Sequence, residues 1–124
     1  MVDNLSKKMS ELKPVIGTWN TLGSPLVTEV IASSGVDFII IDFEHGPFSI
    51  EKTSDYVNAC NLYNCSSIVR IPKNSRWIAL QALDLGAKGI MIPNVQNKEY
   101  VNKLIKIIKY PPIGSRGYSP FTKA

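Results

Sequence analysis

Four side chains able to transfer protons or hold an anion stand at the ends of two short apolar segments. Asp42, Glu44 and His45 follow FIII within the motif IDFEHGP, and Arg70 closes the segment SIVR. His45 is the single histidine of the sequence, and imidazole is the side chain that most readily gives and takes protons near pH 7. An arginine in an apolar strand directs its permanently charged fork at an anion. That anion is Asp42, Glu44 or a bound carboxylate.

Each of the residues that follow FIII also has a purely structural interpretation. On composition alone, His45 is better read as a surface imidazole that anchors a loop. Asp42 could cap the turn before Gly46, and Glu44 could face solvent. Further polar or aromatic side chains follow the first and fourth apolar segments, and together the set favours a functional site at the segment ends: Trp19, Asn20, Asn94 and Gln96.

Asp84 is unusual for a different reason. It stands in the last turn of a predicted helix, two residues before Gly86. The helix dipole disfavours an anion at that end by about 0.3–1 kcal/mol, and a cation is expected there instead. Asp84 is therefore either a surface carboxylate or a partner that orients a histidine.

Four strands, each followed by a helix, must position these residues. Short β-branched segments read as buried strands, and serine, proline and glycine mark the helix ends. We predict strands over 15–19, 38–41, 67–71 and 89–93, and helices over 5–12, 25–34, 50–63, 76–85 and 98–109, with Ser24 and Ser75 as N-caps.

The regular alternation of strands and helices predicts a parallel α/β sheet covered by helices. This alternation fits two architectures, a doubly wound sheet and part of an eight-stranded barrel. Four such units fill the 124 residues, whereas a complete barrel needs about 250. We therefore expect half of a TIM (β/α)8 barrel. Residues 1–124 would form a single incomplete (β/α)4 domain with a short N-terminal helix.

Composition excludes several classes of protein. With 44% hydrophobic and 19% charged residues, the chain is too apolar for a disordered tail. Its apolar runs are too short to span a bilayer, so no membrane partner is expected. The polar N-terminus lacks an apolar signal core, and Cys60 and Cys65 are too few for a disulfide framework or a zinc site. We expect a reduced, cytoplasmic protein.

The net charge of +4 does not indicate nucleic-acid binding. Four lysines alternate with apolar residues along one predicted helix, which is typical of a solvated face opposite a buried one. Aromatic side chains for stacking on bases do not interleave with them. The lysines are Lys98, Lys103, Lys106 and Lys109.

Five motifs in sequence order carry a family resemblance. IGTWNTLGSP, GVDFIIIDFEHGPF, SIVRIP, LDLGAKGIMIPNVQN and YPPIGSRG together resemble the N-terminal half of the class II pyruvate aldolases of the HpcH/HpaI family. This family includes 4-hydroxy-2-oxoheptanedioate aldolase and 2-keto-3-deoxy sugar-acid aldolases. The resemblance extends from Ile16 to the end of the sequence, and the combination of DxEHGP, a strand-ending VRxP and PPxGxRG is specific.

The resemblance implies a metal-dependent lyase on a (β/α)8 barrel that cleaves a 4-hydroxy-2-oxo acid to pyruvate and an aldehyde. By this resemblance, His45 is the general base, Arg70 stabilises the enolate, and Asp84 raises the basicity of the histidine. Asp42 and Glu44 would lie in an outer shell near the waters of the metal. Phe43 replaces a smaller residue and is expected to reshape the pocket.

The resemblance also implies a divalent cofactor, which would be magnesium, manganese or cobalt. The family's two ligands to the metal, a glutamate and an aspartate, belong to later strands beyond Ala124. The expected partners are a small-molecule 2-oxo acid and further copies of the chain in a homo-oligomer.

Two other functions compete with the aldolase. One is a catalytically silent half-barrel that acts only through assembly with another chain. The other is a small doubly wound domain that binds a nucleotide or phosphate, but neither GxGxxG nor GxxxxGK[ST] follows any predicted strand.

Overall fold

The computed structural model describes residues 4–73 and 75–123 and contains the predicted alternation of strands and helices. Its elements are α1 (Asn4–Ser10), β1 (Gly17–Asn20), α2 (Pro25–Ser33), β2 (Phe38–Asp42), a 3₁₀ turn (Ile50–Lys52), α3 (Thr53–Leu62), β3 (Ser66–Arg70), α4 (Arg76–Asp84), β4 (Gly89–Met91) and α5 (Lys98–Ile108).

Some element ends differ from the predicted bounds. The first helix stops at Ser10, and Leu12 beyond it adopts a positive φ of 54° that no α-helix continues. The helix predicted from residue 50 starts as the 3₁₀ turn before it becomes α3. Ser24 caps α2, since its hydroxyl accepts a hydrogen bond from the Val27 N–H, but Ser75 makes no such bond at α4. Ser75 is the N-cap residue of α4 as predicted, but its hydroxyl does not bond to the first turn.

The strand order decides between the two architectures that the sequence allowed. The sheet is parallel with the order β1-β2-β3-β4, whereas a doubly wound sheet reverses its order at a switch point. Right-handed crossovers, the rule between parallel neighbours, place the connecting helices α2, α3 and α4 on the same face, where they pack against Ile39, Ile41 and Val69. The prediction of (β/α) units from one half of a barrel is confirmed.

The core lies between the helices and the face of the sheet that they cover. Ile39, Ile41 and Val69 point from β2 and β3 into this layer and meet Tyr56 and Val57 of α3. These side chains are at most 1% exposed, so the layer fixes the strands against the helices. Within the described residues, no helix is long and apolar enough to cross a bilayer.

The opposite face of the sheet carries the residues that matter for chemistry. Parallel register sets Trp19 beside Ile40 in one row, and Asp42 beside Arg70 in the next row toward the carboxyl ends. Because side chains alternate between the faces of a strand, both rows point away from the helices. The chemistry-bearing face is therefore the one that lines the interior of a barrel.

A turn at the end of α3 brings the two cysteines together. The Cys65 N–H donates to the Cys60 carbonyl, and Asn64 between them has a positive φ of 54°, as in a Schellman motif. Both cysteines are buried and free. The Cys60 thiol donates a hydrogen bond to Cys65, which lowers the pKa of Cys65 and raises that of Cys60.

Asp37 ties α1 to the end of the sheet where the strands begin. It accepts a hydrogen bond from the Lys8 ammonium at 2.5 Å and another from the Ile16 N–H at 2.9 Å. The Lys8 bond is the larger cause that holds the pKa of the Asp37 carboxyl below its usual value. This end of the sheet thus has its own charged pair, remote from the strands' carboxyl ends.

A buried polar link positions the carboxyl end of β1. The Asn20 side-chain amide donates to the Thr28 hydroxyl at 2.7 Å, and that hydroxyl donates to the Ser24 carbonyl at 3.0 Å. Asn20 and Thr28 are at most 1% exposed. Asn20 therefore faces α2 and holds the loop that follows Trp19, rather than facing a ligand.

We predict that Thr28→Val lowers the free energy of unfolding by about 1–3 kcal/mol, because it leaves the buried amide of Asn20 without an acceptor. Urea denaturation followed by circular dichroism measures the change. The control is Thr21→Val at an exposed loop position, which should shift stability by less than about 0.5 kcal/mol. Equal losses in both variants would contradict the role given to this link.

Candidate active site

Arg70 is the centre of the charged cluster at the carboxyl ends of β2 and β3. Its Nη1 lies 3.1 Å from Asp42 Oδ2, and its Nη2 lies 2.5 Å from Glu44 Oε2. Of the three anions that the sequence left open for Arg70, the two in the chain, Asp42 and Glu44, both pair with it. The side chain remains 22% exposed, so part of the guanidinium faces the open end of the sheet.

Asp42 combines the two roles that its sequence position suggested. Its Oδ2 faces Arg70, while its Oδ1 accepts the N–H groups of Glu44 at 3.0 Å and His45 at 3.2 Å. The Asp42 carbonyl also accepts the Gly46 N–H at 2.8 Å. One carboxylate therefore both neutralises the arginine and shapes the turn that carries the histidine.

Gly46 makes this turn possible through its missing side chain. A Cβ at Gly46 would overlap the Asp42 carbonyl oxygen and the ring of Phe48. No other residue allows the backbone to approach so closely without displacing the turn. The glycine of the DFEHGP motif thus has a local steric cause.

His45 is presented to solvent beside the cluster. Its side chain is 72% exposed, and its Nε2 lies 3.8 Å from Glu44 Oε2. Glu44 thus faces Arg70 and His45 at once and is not the freely solvated side chain of the structural interpretation. An exposed imidazole next to a held carboxylate is placed to exchange protons with a bound molecule.

Trp19 closes the other side of the cluster. The Arg70 Cζ lies 5.2 Å from the centroid of the Trp19 ring, within the range of cation–π attraction. The ring is 45% exposed, so it forms an apolar wall against which the planar guanidinium is held. Arg70 is thereby fixed by two carboxylates and one aromatic face.

Three other predicted side chains do not join this cluster. Asn94, with a positive φ of 51°, and Gln96 lie exposed in the loop after β4. Phe43 packs with the core, its ring centroid 5.9 Å from that of Phe48. Phe43 directly follows β2 and packs against the core, so its ring lies on the helix-covered side rather than beside Arg70, and its effect on the pocket stays a prediction.

Asp84 lies at the other end of the sheet from His45. It ends α4, and four residues later the Lys88 N–H donates to the carbonyl of Ser67 at the start of β3. His45 instead follows the carboxyl end of β2. The cation that the helix end requires is Arg116, whose Nη2 lies 2.5 Å from Asp84 Oδ1. Sequence reasoning missed this partner because it stands 32 positions away.

The described residues do not form a metal site by themselves. Among residues 4–73 and 75–123, no group of three or more histidine, cysteine, aspartate or glutamate side chains could hold an ion. Asp42 is engaged through both of its oxygens and Glu44 faces Arg70. Both carboxylates are thus already engaged by Arg70 and by the turn.

Comparison with known proteins decides which family has this arrangement. The family model described as HpcH/HpaI aldolase/citrate lyase matches residues 15–123. The chain belongs to this family. The resemblance that the five motifs carried is confirmed.

Two solved structures and one curated relative illustrate the match. The HpcH/HpaI aldolase from Desulfitobacterium hafniense superposes with a TM-score of 0.87 at 33% identity, covering 99% of this chain and 50% of that one. Citrate synthase SbnG superposes with a TM-score of 0.85 at 33% identity, covering 92% and 46%.

The hydroxypyruvate/pyruvate aldolase of Roseobacter denitrificans is 32% identical over 116 residues, which is 94% of this chain and 45% of the relative. The chain thus spans about half the length of the relatives and structures that it matches. The matched half contains the cluster around Arg70.

We predict that Asp42→Asn and Asp42→Ala separate the two roles of Asp42. Asparagine retains an oxygen for the N–H groups of the turn and removes the charge facing Arg70, whereas alanine removes both. Because Glu44 still pairs with Arg70, the alanine variant should lower the free energy of unfolding by about 1–3 kcal/mol, mainly through the lost acceptor for the turn. Urea denaturation gives the stabilities, and hydrogen exchange of the amides of residues 44 and 45 reports on the turn.

The control for this pair is Asp55→Ala, at an exposed position of α3. We expect it to leave the exchange of both amides unchanged. Rapid exchange in Asp42→Asn equal to that in Asp42→Ala would contradict the assignment of the turn to Oδ1.

Proposed function

We propose that these four β/α units are the N-terminal half of a metal-dependent aldolase. The whole protein would cleave a 4-hydroxy-2-oxo acid to pyruvate and an aldehyde and catalyse the reverse addition. The observation that carries the proposal is the guanidinium of Arg70, held beside an exposed histidine at the carboxyl ends of parallel strands. Ligand sites of such barrels lie at this end of the sheet.

Arg70 is suited to the charge that develops during cleavage. When the C3–C4 bond of the substrate breaks, its electron pair moves into the pyruvate part and forms an enolate. A preorganised cation near the enolate oxygen lowers the barrier, because it needs no reorganisation as the charge appears. Asp42, Glu44 and Trp19 hold the guanidinium in place, and the Arg70 side chain remains 22% exposed.

His45 is suited to the proton that must leave. Cleavage requires removal of the proton of the 4-hydroxyl group, whose oxygen becomes the carbonyl oxygen of the released aldehyde. The enolate then takes a proton at C3, which gives pyruvate and balances the reaction. The imidazole of His45 is 72% exposed beside the cluster and would accept the first of these protons.

The divalent metal of the proposal belongs to the whole protein. Asp42 and Glu44 are occupied by Arg70 and the turn, so we assign them to positioning rather than to coordination. The ligand pair, glutamate and aspartate, would come from strands outside these four units. The roles of Arg70 and His45 do not depend on a metal ligand from residues 4–123.

We also propose that the site is shared between copies of the chain. β2 has five residues and a strand of that length spans about 17 Å, so Asp84 and His45 do not meet within one chain. The proposed pairing of the Asp84 carboxylate with the histidine therefore crosses an interface. This pairing makes the enzyme an obligate oligomer.

We predict that His45→Ala lowers kcat of the whole protein about 10²–10⁴-fold and changes KM little, because a base acts in the transition state. Arg70→Ala should lower kcat about 10²–10³-fold, and Arg70→Lys should restore little, since a point charge does not replace the planar fork. Pyruvate release from a 4-hydroxy-2-oxo acid, coupled to lactate dehydrogenase, measures the rate.

The control for these variants is Lys88→Ala, at an exposed position near the opposite end of the sheet, which should keep wild-type kinetics. Near-normal turnover in either alanine variant would remove that residue from the mechanism. A wild-type protein without cleavage activity would instead favour the silent half-barrel.

We predict that mixing inactive His45→Ala subunits with inactive Asp84→Ala subunits restores activity. If each site takes its histidine and its aspartate from different copies, random pairing gives about a quarter of the sites both native residues. Verified subunit exchange without any gain in activity would contradict the shared site. So would full activity of Asp84→Ala alone.

A further inference from the structure

The segment after α5 folds back onto that helix. The Ser115 N–H donates to the Lys106 carbonyl at 2.7 Å, and the Arg116 N–H donates to the Lys109 carbonyl at 3.0 Å. A Cβ at Gly114 would overlap both of these carbonyl oxygens. The PPxGxRG motif therefore specifies a tight backbone turn that fixes the position of Arg116.

The guanidinium of Arg116 is held inside the protein rather than in solvent. The residue is 8% exposed, and its Cζ lies 4.6 Å from the centroid of the Tyr110 ring. A buried cation is costly unless it is paired. Its partner is Asp84, with 2.5 Å between Arg116 Nη2 and Asp84 Oδ1.

Asp84 is held from two directions while part of its carboxylate stays accessible. Its backbone carbonyl accepts the Lys123 N–H at 2.8 Å, and its Oδ1 is occupied by Arg116. The side chain is nevertheless 38% exposed. The ion pair also offsets the unfavourable position of an anion at a helix C-terminus, so Arg116 explains how Asp84 is tolerated there.

The accessible side of Asp84 borders a groove between the 3₁₀ turn and α4. Trp77 and Leu85 give the groove apolar walls, and Glu51 adds a second carboxylate to its rim. Its volume is about 550 Å³. Arg116 occupies Asp84 Oδ1 while the Asp84 side chain stays 38% exposed and lines this groove.

We propose that Arg116 is a positioning residue that holds the Asp84 carboxylate toward this groove, where it accepts a hydrogen bond from His45 of a second copy of the chain. The assignment rests on the shared site of the proposed function and adds what fixes its aspartate. Arg116 acts entirely through Asp84 and touches neither the substrate nor the histidine. The PPxGxRG motif is thus a part of the active site contributed from the opposite end of the sheet.

The test is a double-mutant cycle in the whole, oligomeric protein with Arg116→Met, Asp84→Asn and the combination of both. We expect Arg116→Met to lower kcat about 10- to 100-fold through misplacement of the carboxylate, with KM within about twofold. The combined variant should be no slower than Asp84→Asn, because Arg116 has no effect once Asp84 is lost. Arg116→Lys should recover part of kcat and guards against a folding failure in Arg116→Met.

The matched control is Arg76→Met, which removes an exposed arginine from the start of α4 and should leave kcat and KM unchanged. Losses that multiply in the combined variant would overturn the proposal, since Arg116 would then act independently of Asp84. Unchanged kcat in Arg116→Met beside an impaired Asp84→Asn would overturn this proposal alone. Unchanged kcat in Asp84→Asn would overturn the shared site and this assignment together.

Discussion

The need to neutralise Arg70 at the open end of an apolar sheet is the constraint on which the site depends. A guanidinium in that place requires anions, and it obtains them from Asp42 and Glu44 on the neighbouring chain segment. Asp42 also accepts the N–H groups of residues 44 and 45. The same carboxylate therefore pairs with Arg70 and shapes the turn that carries His45. The exposure of His45 follows from that turn.

The singly wound sheet makes this pairing possible. Neighbouring strands in sequence order set Asp42 directly beside Arg70 in register, and helices on one face leave the other face free for the charged row. The same topology sends each helix back toward the start of the strands, which puts Asp84 far from His45. A shared site is the physical consequence of that geometry if the two residues act together.

Arg116 and Arg70 are partly buried cations at opposite ends of the sheet, and each needs an anion as a partner. Each cation is packed on an aromatic ring and paired with a carboxylate. At one end the arginine stays 22% exposed, and at the other the carboxylate stays 38% exposed beside a groove. Burial thus produces two arginine clusters, one at each end of the sheet.

The sequence by itself determined the alternation of strands and helices, the family, and the group of charged residues that follow β2 and close β3, because these rest on local periodicity and short motifs. Tertiary structure alone decided which anion Arg70 meets, that Asn20 and Phe43 face the helices, and that Arg116 is the partner of Asp84. Those outcomes depend on register and on tertiary contacts, such as the ion pairs of Arg70 and Arg116 between residues 26 to 32 positions apart. Local patterns carry no information about such distances, since chain folding rather than spacing brings the groups together.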